Sequence, residues 1–232
     1  MTETDRLQSI QELIEIMALL RSPRGCRWDR QQTPATLQKH ILEEAYELLE
    51  AIDSGNPEEI CDELGDLLLQ VVFQAQIFSE DGHFTLHDVA HSICDKLRRR
   101  HPHIFSDASH EGHEQRWEEI KRQERFARGQ SSDLAQQIPN TLPALKRATK
   151  VAKKRQPDDP HESIKQIETG LKQLKEMLSR DNYPQSGLEE NLGQVLLNIC
   201  NLAAATDCEP EDILRKKTTQ LISEIDSANN VY

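Results

Sequence analysis

The run LEEAYELLEA at 42–51 places glutamates at 43, 44, 47 and 50 on a leucine-bearing segment, and ELGD at 63–66 adds a second acidic pair, Glu63 and Asp66. Acids at i, i+3 stand over one another on one face of a helix. Two such pairs brought face to face make an all-oxygen donor set with no Cys or His. That set suits a hard cation, Mg2+ or, as a substitute, Mn2+. A cation so held neutralises a polyphosphate and can activate water. Taken alone, LEEAYELLEA fits an ordinary solvated helix face better than a metal site. The decision rests on whether the second pair meets it.

The elements that position these acids can be read from punctuation. Thr33 and Pro34 read as an N-cap and first-turn proline of a helix reaching about Ile52, with Gly55 as terminator. Asn56, Pro57 and Glu59 restart the chain as a helix over 57–80. So short a connection makes the two helices antiparallel. Glu47 and Glu63 lie eight residues either side of Gly55, and Glu44 and Asp66 eleven. At a rise of ~1.5 Å per residue the four carboxylates reach matching heights, roughly 12 to 17 Å from the turn. On the second helix ELGDLLLQVVFQAQ is apolar almost all round, and a narrow strip holds Glu63, Asp66, Gln70 and Gln74. Acids on a mostly buried helix are costly unless paired or bound to a metal. On the first helix Glu44 borders the apolar face of Leu42, Ala45, Leu48, Leu49 and Ile52, whereas Glu43, Glu47 and Glu50 lie opposite. Thr85 and Asp88 form a capping box for a further helix to about Arg100, which ends in KLRRR. Antiparallel return brings Lys96 level with Gln70 and Arg100 level with Asp66, as cations for phosphate. The same basic turn also favours the helix dipole.

The rest of the chain is helical in the same way. Leu7, Ile10, Leu13, Ile14, Met17 and Leu20 give an amphipathic helix over about 5–20, followed by the loop RSPRGCRWDRQQTP. A charged segment around Trp117 is helical, GQSSDLAQQIPNTLP is a linker, and further helices fall near 144–155, 161–179, 188–205 and 210–227. Aromatics at 4%, with 9 glycines and 10 prolines lying mostly between periodic segments, favour an all-α fold over 232 residues. A net charge of −12 and pI near 5.2 argue against nucleic acid or an anionic membrane as partner. Five scattered cysteines without a CxxC pair point to a reducing compartment. The polar N-terminus is no signal peptide and no apolar run spans a bilayer, so a cytoplasmic protein is expected. His87 and His91 are spaced as a zinc pair but have no third ligand, and KRATKVAKKR at 146–155 reads as a solvated helix.

EEAYE (43–47) with ELGD (63–66) resembles the EExxE and ExxD signatures of the all-α nucleoside triphosphate pyrophosphohydrolases. GCRWDRQQT (25–33), DELGDLLLQVVFQAQ (62–76), DKLRRRHPHIF (95–105), RWEEIKRQE (116–124) and LPALKRA (142–148) narrow the resemblance to the MazG family. The match runs in order through the first 155 residues. It implies Mg2+-dependent hydrolysis of a nucleoside triphosphate to monophosphate and pyrophosphate, by water attack at the α-phosphorus. Glu44, Glu47, Glu63 and Asp66 would hold metal, with Glu43 a base or further ligand. Lys96 and Arg100, with Arg99, would steady the departing pyrophosphate. RWEEIKRQE would bring Trp117 and Lys121 to the substrate, and Trp28 or Trp117 could stack on the base. Core or interface packing accounts for either tryptophan equally well.

MazG proteins commonly carry two copies of the fold, and a second copy is visible here without its acids. ENLGQVLLNICNLA (190–203) lies over DELGDLLLQVVFQA (62–75), with Asn191 and Gln194 standing where the first copy has Glu63 and Asp66. IETGLKQL (167–174) lies over LEEAYELL (42–49), putting Thr169 and Lys172 at the places of Glu44 and Glu47. PEDILRKKTTQLISE (210–224) lies over LHDVAHSICDKLRRR (86–100), with Gln220 and Glu224 in place of Lys96 and Arg100. In the first copy, Cys94 departs from the Asn of catalytic copies. The expectation is two tandem helical-bundle repeats: a catalytic repeat over 1–126, a linker over 127–143, and a degenerate repeat over 144–232 for scaffolding or dimerisation. Family members complete their bundles by association, which implies a homodimer or higher oligomer. The competing reading is a non-catalytic metal-nucleotide-binding regulatory module.

Overall fold

The computed structural model describes residues 3–105, 113–127, 129, 133–180 and 182–229. Among these there are helices and no strand, so the chain is all-α. It divides into two compact units, Met1–Ile120 and Lys121–Tyr232. Residues 128 and 130–132 of the expected linker, and the Leu7 side chain, lie outside what is described.

In the first unit α1 (Glu3–Arg21), α3 (Gln38–Ser54), α4 (Pro57–Glu80) and α5 (Leu86–Arg100) do the packing, with short helices α2 (Arg27–Gln31) and α6 (Pro102–Phe105) between and after them. The core is Met17 of α1, Leu37, and Val72, Phe73 and Ile77 of α4, flanked by Leu13, Leu20, Leu69 and Leu86. The signals at 55–57 act as expected: Gly55 takes φ 73°, Asn56 accepts from the Glu58 amide, and Pro57 opens α4. Thr85 and Asp88 make the reciprocal capping box of α5, and the bonds from Thr85 hold the Asp88 carboxyl below its usual pKa.

Two expectations about the chain ahead of α3 need correcting. Thr33 and Pro34 do not open the long helix. The Thr33 and Thr36 hydroxyls each accept from the other's amide, closing a separate turn, and α3 starts at Gln38. The segment read as loop also contains α2. It is pinned from α1 by Arg21, which donates to the carbonyls of Asp29 and Gln32, ion-pairs with Glu80 at 2.8 Å and stacks over Phe73 at 5.5 Å. Gly25 lets this segment fold back on the end of α1, since a Cβ there would lie 2.1 Å from the Leu20 carbonyl oxygen.

α4 is buried on one side rather than all round. Leu64, Leu68 and Val71 are exposed at 52%, 37% and 42%, beside exposed Leu42, Tyr46 and Ile52 on α3.

α7 (His113–Ala127) carries Trp117, which meets the end of α5: Arg100 stacks over its ring at 5.3 Å and His101 stands edge-on at 5.1 Å. Beyond it come α8 (Leu134–Gln137), α9 (Ala144–Lys154), α10 (Pro160–Leu178), α11 (Gln185–Ala205) and α12 (Pro210–Asn229). In this second unit α9 and α10 both pack against α11, burying Ala152, Leu174, Val195, Cys200, Ala203 and Ala204. Lys146 and Lys153 of α9 tie down Glu209 ahead of α12.

Candidate metal centre

The two acidic motifs meet because α3 and α4 form one tight hairpin. Three acids converge: Glu44, Glu63 and Asp66 each offer a carboxylate oxygen, and these oxygens all lie within 4.8 Å of one another. Glu44 and Glu63 are half-buried and Asp66 is exposed, so the cluster opens to solvent on one side. Three anions at this spacing repel unless a cation or proton joins them. Burial, then the charges of Asp66, Glu47, Glu43 and Glu63, raises the Glu44 pKa above its ordinary value. Glu63 is raised in the same direction by burial, then by Glu47, Asp66, Asp62 and Glu59. Its Oε2 is buried with no hydrogen-bond partner. A buried carboxylate oxygen without a donor is costly. Together with two further hard oxygen donors, it fits a divalent cation of the Mg2+ or Mn2+ class.

The fourth expected ligand is placed differently. Glu47 is not among the three converging acids, although it is the foremost neighbouring charge acting on Glu63. Glu44 is half-buried on α3, while Glu47, one turn further on, is exposed. Glu43 is engaged on another side, its Oε2 lying 3.2 Å from His40 Nδ1. His40 in turn stands edge-on to Trp28, with ring centroids 6.1 Å apart, and Trp28 is 52% exposed. Trp28, His40 and Glu43 therefore form one connected surface beside the acidic cluster. His40 was not singled out from the sequence. Its i, i+3 spacing to Glu43 was the available signal.

Gln70 lies on the same strip of α4 as Glu63 and Asp66. It is 7% exposed, and its Nε2 lies 3.5 Å from Glu44 Oε1, a long contact that orients the carboxylate from the core side. Lys96 is half-buried on α5, Arg99 is exposed, and Arg100 lies over Trp117. That packing takes up one face of Trp117, so of the two tryptophans Trp28 presents the freer ring. Lys121 belongs to the second unit and is half-buried on α7.

Residues 32–105, which contain both acidic pairs and the basic end of α5, match the family model of the MazG nucleotide pyrophosphohydrolase domain. The chain is 43% identical over 217 residues to the nucleoside triphosphate pyrophosphohydrolase/pyrophosphatase MazG of Thermotoga maritima, covering 91% of this chain and 82% of that protein. It is 39% identical over 226 residues to the nucleoside triphosphate pyrophosphohydrolase of Escherichia coli K12, covering 90% of this chain and 83% of that one. A third relative, the protein YabN of Bacillus subtilis, is 44% identical over 141 residues, 60% of this chain and 28% of its own length.

Proposed function

Because the chain belongs to the MazG family, we propose that it is a nucleoside triphosphate pyrophosphohydrolase working through its first unit. One observation carries the reading: the convergence of Glu44, Glu63 and Asp66 at a point where a buried Glu63 oxygen lacks any protein donor. Glu44, Glu63 and Asp66, with Glu47, would hold Mg2+, or Mn2+ as substitute, which would supply charge neutralisation for the triphosphate and lower the pKa of an attacking water. Glu43, with its orientation fixed by His40, takes the proton from the water that attacks the α-phosphorus. Lys96, Arg99 and Arg100 neutralise the departing pyrophosphate. This is positioning plus charge stabilisation, as phosphoryl chemistry requires. Trp28 offers its exposed ring to the base, and Trp117 orders Arg100 from behind.

On this reading the catalytic repeat is 1–126, the linker 127–143 and the degenerate repeat 144–232. The second repeat serves as scaffold or dimerisation element. The exposed leucines of α3 and α4 are the surface of a homodimer or higher oligomer, and the protein works in the cytoplasm without nucleic acid or membrane. No helix among the described residues is long and apolar enough to cross a membrane.

The test is incubation of the purified chain with Mg2+ and each ribo- and deoxyribonucleoside triphosphate, with products separated by chromatography. Monophosphate plus pyrophosphate is expected, lost in Glu63→Gln and Asp66→Asn while both variants keep their helical circular dichroism. Turnover that survives both substitutions would remove these acids from the site. Metal-dependent nucleotide binding without turnover would make the first unit a regulatory module.

A further inference from the structure

The second unit has lost the acids but not the cleft. Between α10 and α11 lies a cavity of about 300 Å³, and Thr169, Gln173, Asn191, Gln194 and Asn198 are among its lining residues. Thr169, Asn191 and Gln194 stand where the first unit has Glu44, Glu63 and Asp66, and Asn198 stands where it has Gln70. The three acids that converge in the first unit are each replaced by a neutral group that still hydrogen-bonds, and Glu47 by the cation Lys172. The two charged residues of the lining, Glu162 and Lys165, pair with each other at 3.6 Å. The cavity is thus close to neutral and has no cluster of anionic donors for a divalent cation.

Its carboxamides form a ladder. Asn191, Gln194 and Asn198 follow one another at i, i+3 and i+7 along α11, a helix otherwise rich in leucine and alanine. Such a stripe is expensive in a packed helix unless its groups are used. Asn191 is used internally, donating from Nδ2 to the Gly187 carbonyl at 2.8 Å. Gln194 and Asn198 are joined by a single bond, Gln194 Nε2 to Asn198 Oδ1 at 3.0 Å. Each carboxamide has two N–H donors and an oxygen with two lone pairs, so this one bond leaves donor and acceptor capacity on both, and exchanging O and N on both amides does not change that. Asn198 is only 4% exposed and Gln194 is exposed, so the pair lines the cavity from its buried side to its open side.

We infer that this cleft binds a nucleobase without metal, as the free nucleoside or as part of a nucleotide. An adjacent donor and acceptor on a carboxamide pair is the complement of a base edge, the chemistry by which Asn and Gln read bases elsewhere. The volume suits a base with part of its sugar. The absence of an anionic cluster removes the need for a cation, so the site is chemically separate from the one in the first unit. The choice of nucleosides as probes rests on the nucleotide reading of that first unit; the cleft itself does not.

Equilibrium dialysis of the whole chain in excess EDTA against adenosine, guanosine, cytidine, uridine and thymidine tests this. None of these probes has a triphosphate to hydrolyse and no metal is present, so the result stands whether or not the first unit turns over. Saturable binding of at least one nucleoside, one per chain, is expected, weakened at least about tenfold in Gln194→Leu and in Asn198→Leu. Gln194 is exposed, so its variant keeps the fold and the test decisive even where Asn198→Leu unfolds. Absence of binding by all five at millimolar concentration, or unchanged binding in Gln194→Leu, overturns the assignment.

Discussion

Substituting Glu44→Gln separates the two forces acting on the acidic cluster. In the metal-free chain Glu44 faces two carboxylates within 4.8 Å. Each pair at that distance repels by ~0.9 kcal/mol in the dielectric of water, which is the proper limit because the cluster is open on the Asp66 side. Ionic screening at physiological salt nearly halves this. Removing the Glu44 charge therefore relieves about 1 kcal/mol, and Gln keeps an oxygen for Gln70. In EDTA the variant should melt higher than the parent by roughly 2–4 °C. With Mg2+ the order reverses. A site filled at 100 times its dissociation constant stabilises the parent by ~2.7 kcal/mol, and a variant with one ligand less gains little. Thermal melts followed by circular dichroism, with EDTA and then with 10 mM or so of MgCl2, read both arms. The expected signature is a crossing of the two melting temperatures. A variant that melts below the parent in EDTA, or gains as much from Mg2+, would show that no repulsion is stored there and no cation relieves it.

Two further outcomes follow from the same geometry. The raised pKa of Glu44 means the folded chain holds its proton more tightly than the unfolded chain. That stabilisation is complete below the unfolded pKa and lost as pH rises through the folded one. In EDTA the advantage of Glu44→Gln should therefore vanish in acid and grow as pH rises through the folded Glu44 pKa, as read from urea midpoints across a pH series; a flat difference would sink the argument. Gly25→Ala should lower stability by ~3 kcal/mol, because the added carbon meets the backbone oxygens of Leu20 and Leu19 at 2.1 and 2.3 Å, which cannot step aside. A denaturation midpoint within error of the parent would show that the loop has room to shift.

The helices bounded by strong local chemistry were legible in the sequence. Asn56-Pro57 and the Thr85–Asp88 box act within one turn of backbone, and their bonds are those the residues make in any helix start. What escaped depends on partners distant in the chain. α2 exists because Arg21 reaches its carbonyls and Glu80 holds Arg21, an arrangement no local pattern announces. Thr33 was a sound cap signal, but it closes a turn ahead of α3 because Thr36 answers it. At the cluster, counting residues from Gly55 gives heights along the helices and omits rotation about them. Glu44, Glu63 and Asp66 come within 4.8 Å of one another, and Glu47 lies outside that group while still acting on Glu63. The meeting of the two acidic motifs was therefore open to sequence reasoning, while which acids come closest is set by side-chain placement that residue counting does not give.

The hairpin has a consequence for how the protein acquires its chemistry. All three converging acids lie on α3 and α4, joined through Gly55 and Asn56 alone, so their meeting closes one of the shortest loops in the chain. Short loops close fast and cost little entropy. The acidic cluster is thus the local product of a single hairpin, whose two helices its like charges push apart. On the proposed reading, a divalent cation that bridges the cluster would also favour closure of that hairpin, tying metal binding to the stability of this one local unit.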